Sequence, residues 1–482
     1  MADFDLAVIG AGAAGLSVTA VAAQLGVKVA LIEQSRMGGD CLNTGCVPSK
    51  ALLAAAHTAQ AIRRASRFGL RVAAPEIDWQ AVQTHVHAAI TAIAPTDSAA
   101  RFRALGATVL AGTARFVGPA ALDVGGRRIT ARRIIIASGS RAAVPPIAGL
   151  DRVPFLTNET LFGLAERPDH LLILGGGPIG LEMADAFAGL GSRVTIVEAA
   201  RIASRDDREL AAGLRTALTA RGVTLWEGAK VAAAEGDARG DPVLVLADGN
   251  RIGGSHLLVA TGRRPNLEAL DLPAGNVRAS PGGVVTDQGL RSVTNRRVFA
   301  VGDIADPIGI GPRAFTHVGS YHAGIVIRRA LFRMPARLDY AALPRVTYTD
   351  PELAQVGMTE SEARAAGLHI KVLRWPLADN DRAVAEGDTA GLVKLVVARG
   401  RVVGAGILAP AAGEMIGTWT LAIARRIPVS HLAGMIVPYP TRSEAAKRAA
   451  GNLFVSRLFS PATKRIVRWL QRVDWPGAGG VR

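Results

Sequence analysis

The sequence predicts an α/β fold of two Rossmann-like nucleotide-binding domains followed by a C-terminal α+β domain. Two observations lead there. One pattern, an apolar strand, a GxGxxG turn, an Ala-rich helix and a second strand closing on an acid, occurs twice: in DLAVIGAGAAGLSVTAVAAQLGVKVALIE, ending at Glu33, and in HLLILGGGPIGLEMADAFAGLGSRVTIVE, ending at Glu198. From about residue 343 the texture changes to alternating β patterns (RVTYTDPELAQVGM, GLVKLVVARGRVVGAGILA) with intervening helices. A chain of 482 residues is too long for one core, which fits several domains.

Each repeated segment is a βαβ unit with a specific physical use. The first glycine (Gly10, Gly175) permits the tight turn, and the second (Gly12, Gly177) lets the backbone approach a pyrophosphate. The third (Gly15, Gly180) allows close helix–strand contact. The phosphates then lie against the amides and positive dipole end of the helix. Glu33 and Glu198 stand where an acid accepts the hydroxyls of an adenosine ribose. One such turn is weak evidence; two complete units in register predict two dinucleotide sites.

Between the units, residues 51 to 103 read as helical, and RRIIIASGS ends a buried strand in small residues around Gly139. HLLVATGRRPN, with Gly262, repeats that pattern, and RRVFAVGDIA ends a strand at Gly302–Asp303. A carboxylate at a strand's C-terminal edge is placed to meet a sugar or polyol hydroxyl.

Cys41 and Cys46 are the only cysteines, and both lie in GGDCLNTGCVPSK. Such a close pair can close a small disulfide ring and reopen it, carrying two electrons. In a cytosolic chain a lone pair of this kind reads as catalytic or metal-binding. No CxxC or nearby His supplies further ligands, so no resident metal site is expected. Residues 6 to 27 carry no charge, but Asp3 and Asp5 precede them and a glycine turn interrupts them, so they read as a buried strand and not a leader. A cytoplasmic protein is expected. The net charge of +16 comes from Arg scattered along the chain, a compositional bias and not a nucleic-acid surface.

Together these motifs resemble the class I pyridine nucleotide–disulfide oxidoreductases, which include lipoamide dehydrogenase, glutathione reductase and mercuric reductase. The resemblance runs from residue 4 to 450 and is carried by GAGAAG with Glu33, GGDCLNTGCVPSK, GGGPIGLE with Glu198, ATGRRPN, FAVGDIA and YTDPELAQVGMTESEA. It implies an FAD-binding domain over 1–147, returning over 273–342, around an NAD(P)-binding domain over 148–272. A dimerisation domain would cover 343–458, making the protein a homodimer, with a basic tail over 459–482. Electrons would pass from NAD(P)H through FAD to a Cys41–Cys46 disulfide, with Cys46 beside the flavin and Cys41 the outward thiol that attacks substrate. Positive surroundings or a helix start should lower the thiol pKa values. Lys50 and Glu182 match the ion pair beside the flavin ring, where a cation stabilises negative charge. Asp303 matches the ribityl contact. His317 falls where the family approaches the flavin, although its residue type fits a core histidine as well. Glu198 favours NADH over NADPH, since an acid there repels a 2′-phosphate, although Arg201 and Arg205 follow shortly after.

Several positions depart from the relatives. Where lipoamide and glutathione reductases carry a catalytic His five residues before a Glu, this chain has Tyr439 in PYPTRSE and keeps Glu444. A phenol is a poor base near neutral pH, though it can donate a hydrogen bond or touch a soft metal. Mercuric reductases are similar in carrying Tyr there, but they add a C-terminal cysteine pair and often an N-terminal metal-binding domain; this chain ends WPGAGGVR. The expected acceptor is therefore a small-molecule or protein disulfide or a thiol-bound soft metal. A quinone or metal reductase at a membrane and a redox-sensing dithiol are the alternatives. Asp40 replaces the Thr common before the first cysteine, with little consequence expected. In the tail, Lys464, Arg465, Arg468 and Arg472 interleave with Ile466, Val467, Trp469, Leu470 and Val473. That stretch suits packing on the dimer with its basic face solvated, the preferred reading, or peripheral contact with an anionic membrane surface.

Overall fold

The computed structural model describes residues 1–472; residues 473–482, with Val473 and the terminal WPGAGGVR, lie outside the described residues. The chain forms two compact units, one of Met1–Ile202 with Leu218–Asp339, the other of Ala203–Ala217 with the chain from Tyr340 onward.

In the first unit, strand Phe4–Ile9 is buried along nearly its whole length, as its apolar sequence requires of a strand covered on both faces. It pairs in parallel with Val29–Glu33 on one side and with Arg127–Ile136 on the other. Thr108–Ala111 and Val298–Ala300 extend the parallel sheet at either end. Arg127–Ile136 has two uses: its far half joins this sheet, and its near half pairs antiparallel with Ala121–Val124. The second nucleotide unit is a four-stranded parallel sheet in the order Val223–Glu227, Arg193–Glu198, His170–Leu174, His256–Val259. Both glycine turns connect a strand to a helix, Ala13–Gln24 in the first and Pro178–Gly189 in the second. The predicted α/β class with two Rossmann-like sheets is what the structure shows.

The second unit is the α+β part. Its antiparallel sheet runs Pro344–Thr347, Glu352–Gly357, Arg401–Ala409, Leu392–Ala398, Ile370–Pro376. Helices Ala412–Ala424 and Ser443–Leu458 cover it, burying Trp419, Ile416 and Met415 with Ala446, Ala449 and Ala450 against Val393, Leu395 and Ile407. The segment 203–217 is fastened to this sheet by charge. Lys394 is 4% exposed on its strand and lies 2.9 Å from Asp207, 2.9 Å from Glu209 and 2.8 Å from Glu360. Arg345 bonds Asp206 at 2.8 Å and Arg374 bonds Glu209 at 2.9 Å.

A buried ammonium among three carboxylates is tolerable only while all four stay together. Lys394→Met is expected to cost about 3 kcal/mol in denaturant unfolding, because it strands the buried Asp207 carboxylate. The Lys394 bond, followed by Arg364, holds the Glu360 carboxyl down at about 2. That contribution to stability is present above the ordinary glutamate range and is lost as pH falls from about 4.5 toward 2. Wild-type melting temperatures measured across that window should fall more steeply than those of Glu360→Gln.

Candidate active site

The redox segment is held by backbone against the first nucleotide turn. Gly38 pairs with Gly12 as an isolated bridge, and its N–H donates to Ala11 O at 2.9 Å. Gly38 and Gly39 have φ of +86° and +59°, and a Cβ on Gly39 would stand 2.7 Å from Gly12 Cα. Only glycine allows both the left-handed turn and this approach. The chain then enters the short helix Gly39–Asn43, which carries Cys41, and Cys46 opens the helix Cys46–Arg64.

Both cysteines are thiols in this structure, Cys41 half-buried and Cys46 exposed. They share a hydrogen bond, and Cys46 Sγ lies 3.3 Å from Thr316 Oγ1. The bond from Cys41, helped by Thr316 and by the Lys50 charge, brings the Cys46 thiol down to about 6, although neighbouring atoms partly desolvate the sulfur of this exposed residue. Its place at a helix N-terminus acts in the same sense. Cys41 moves the other way: its proton is held by the Cys46 sulfur, and burial opposes its ionisation. The pair is thus polarised toward an anion on Cys46 that accepts from a Cys41 S–H.

Lys50 stands one turn beyond Cys46 and pairs at 2.7 Å with Glu182, which is 5% exposed in the helix after the second glycine turn. The structure thus joins two charges 132 positions apart, one from each glycine-rich motif.

The two nucleotide turns are built alike. Gly10 (φ +104°) and Gly175 (φ +115°) would each drive a Cβ into a carbonyl, Ala137 O at 2.4 Å and Ala260 O at 2.5 Å. Gly15 and Gly180 would meet the carbonyls of Gly10 and Gly175 at 1.9 and 2.1 Å, whereas Gly177 faces open space and Gly12 nearly so. The middle glycine thus leaves room beside the helix start, and the outer two close the turn. Glu33 accepts from Ala11 N (2.7 Å) and Ser35 N (2.8 Å); Glu198 accepts from Gly176 N (2.7 Å) and Ala200 N (2.8 Å). Each carboxylate keeps lone pairs for a ribose. These features fit FAD at the first turn and a nicotinamide nucleotide at the second.

A polar cluster that sequence reasoning missed joins the remaining motifs. Arg263 lies 3.0 Å from Asp40 and 3.6 Å from Asp303, and it donates to Ser140 Oγ (2.7 Å) and Ser140 O (2.8 Å). Asp40 also accepts from Thr44 (2.8 Å) and Asn158 (2.8 Å), so its change from Thr is far from inconsequential: it ties the redox helix to ATGRRPN. Burial pushes the Asp303 carboxyl up, opposed by a bond from Ser140 at 2.5 Å. Gly139 and Gly262 sit beside the ribbon in which Ser140–Ala142 pairs with Arg263–Pro265. Only the charge of Asp40 itself, facing an Arg in a later motif, could have signalled the cluster.

His317 is exposed, its ring 5.2 Å from that of Phe315, so the core-histidine reading fails. The motif places the small residue Thr316 on Cys46 and turns the next side chain outward. The buried histidine is His322, 1% exposed, whose Nδ1 accepts from Gly302 N at 3.0 Å. Burial brings its imidazole down to about 4 and keeps it neutral. Cys41 also borders a cavity of about 370 Å³, which Ser17, Asp97 and Arg101 line too.

Tyr439 and Glu444 belong to the second unit. Tyr439 is 69% exposed and donates to Asp381 Oδ2 at 2.8 Å, a bond that pushes the phenol pKa up. Glu444 pairs with Arg448 at 2.8 Å. A phenol already donating to a carboxylate is no base at neutral pH.

Because Thr316 and Lys50 both favour the anion, Thr316→Val and Lys50→Met should each move the Cys46 titration upward. The ultraviolet absorbance of the thiolate, followed against pH in the reduced protein, measures this; an unchanged midpoint in both variants would contradict the assignment.

The family model described as pyridine nucleotide–disulphide oxidoreductase matches residues 4–326, and that family's dimerisation domain matches residues 343–450. A mercuric reductase of Streptomyces lividans is 39% identical over 461 residues, covering 93% of this chain and 95% of the relative. A dihydrolipoyl dehydrogenase of Thermus scotoductus is 35% identical, covering 93% and 97%. Among solved structures, the Cu(II) complex of the HOCl-induced flavoprotein disulfide reductase RclA from Escherichia coli superposes with a TM-score of 0.84 at 29% identity, covering 94% of this chain and 99% of that one. With both nucleotide turns, the paired thiols and these matches, the chain belongs to the pyridine nucleotide–disulfide oxidoreductases, FAD-dependent enzymes that use NAD(P)H.

Proposed function

We propose that this protein is an NADH-preferring cytoplasmic homodimer that passes electrons through Cys46 and Cys41 to a disulfide or a thiol-bound soft metal ion. The observation that carries this reading is the polarised pair, a Cys46 thiol lowered to about 6 beside a Cys41 that retains its proton. FAD, when bound, accepts hydride from NAD(P)H and delivers two electrons to the disulfide.

The chain's own residues divide the remaining work. The turn Gly10–Gly15 and Glu33 would hold the adenosine diphosphate part of FAD, with Gly139, Asp303 and His317 toward its polyol and ring. The turn Gly175–Gly180, Glu198 and Gly262 would hold the nicotinamide nucleotide. Lys50, kept in place by Glu182, would favour negative charge on the flavin and on Cys46 alike. Cys46 then serves as the internal thiolate. Cys41, bordering its own cavity, serves as the thiol that meets substrate.

Tyr439 supports the metal branch of this reading. Its proton is committed to Asp381, so its oxygen presents lone pairs and not a hydrogen-bond donor. A lone pair suits a thiol-bound cation better than it suits proton transfer to a leaving thiolate. The mercuric reductase relative and the Cu(II)-bound structure are of the same kind. Glu198 supports NADH, since its carboxylate is fixed by two backbone amides where a 2′-phosphate would come.

An anaerobic panel of lipoamide, glutathione disulfide, Hg(II), Cu(II) and a quinone, offered to NADH-reduced enzyme while flavin reoxidation is followed, tests the proposal. Rapid reoxidation by the quinone alone would defeat it. Cys41→Ser should lower thiol-dependent turnover by at least about a thousandfold while NADH still reduces the flavin. Tyr439→Phe should cost about tenfold with the metal ion and little with a disulfide. Glu198→Gln should raise kcat/KM for NADPH relative to NADH by about tenfold or more.

A further inference from the structure

Among the described residues, Pro461–Leu470 is the one α-helix with no buried residue. Ser460 caps it, its Oγ accepting from Thr463 N at 3.2 Å. At about 100° per residue, Lys464, Arg465, Arg468 and Arg472 share an arc of roughly 100°. Ile466, Val467 and Leu470 fall on the opposite side, and Trp469 lies at the seam beside Arg465. Ile466 and Trp469 are 57% and 63% exposed, and Leu458 and Phe459 just before the helix are exposed as well. From Arg457 to Arg472 there are cations and no acid, in a chain of net charge +16.

From this geometry we infer that the helix docks in the plane of an anionic phospholipid surface. Its apolar arc sinks among the acyl chains, its guanidinium and ammonium groups meet the phosphates, and Trp469 sits at the boundary. Charge complementarity chooses this occupant, since five cations without an acid face a repulsive partner in a second copy of so basic a chain. The matched dimerisation domain ends at residue 450, before the helix begins. No described helix is long and apolar enough to cross a membrane, so the contact is peripheral.

Flotation of the full-length, FAD-loaded protein with vesicles tests this. Vesicles containing phosphatidylglycerol should carry the protein up, pure phosphatidylcholine vesicles should not, and added salt should release it. Arg465→Gln and Arg468→Gln should each weaken partitioning about fivefold. Leu470→Asp should weaken it at least tenfold, with FAD content and NADH oxidation unchanged in all three. Equal flotation with both vesicle types, no flotation, or partitioning unaltered in the three variants would overturn the inference. So would variants that alter the dimer mass by light scattering without altering flotation, since that result would assign the apolar face to a second copy.

Discussion

The site depends on one close approach, the backbone of Gly38–Gly39 lying against Gly12 of the first nucleotide turn. A side chain at Gly39 would meet Gly12 Cα, and the redox segment would have to move away from the turn. With the contact in place, the helix that begins at Cys46 starts beside the nucleotide site. Thr316 and Lys50 then fall within reach of one sulfur, and Lys50 within reach of Glu182. The chemistry of the dithiol is therefore a consequence of how tightly two loops can be stacked.

What that stacking produces is asymmetry between two identical side chains. Cys46 has the helix start, a hydroxyl and a cation; Cys41 has the proton and a carboxylate, Asp40, next in sequence. Arg263 answers that carboxylate and reaches at the same time toward Asp303 and Ser140. Three motifs that look independent along the chain are thus joined through one guanidinium, which can serve several oxygens at once because its donors are fixed in a planar fork. The charge of Asp40 is met by this cation at 3.0 Å.

The second unit obeys the same rule with different groups. Lys394 is buried where a strand would normally carry an apolar side chain, and its three carboxylates come from two segments far apart in sequence, Asp207 with Glu209 and then Glu360. Tyr439 is likewise defined by its neighbour: Asp381 accepts its hydrogen bond, which keeps the proton on the phenol and leaves it no use as a base. In both cases the partner, more than the residue type, decides the chemistry.

The fold class and the two nucleotide turns were legible in the sequence because they rest on local requirements. Strand, glycine turn, helix and closing acid follow one another within about thirty residues, and each glycine is demanded by backbone geometry at its own position. The spacing of Cys41 and Cys46 is local in the same way. What only the tertiary structure decided is which side chains meet: that Thr316 and not His317 touches Cys46, that His322 is the buried imidazole, and that Asp40 finds Arg263. The Thr316–Cys46 and Asp40–Arg263 contacts bring side chains together across more than two hundred residues. Hydrogen bonds and charges act over a few ångströms, and that proximity is written in the packing and not in the spacing of letters.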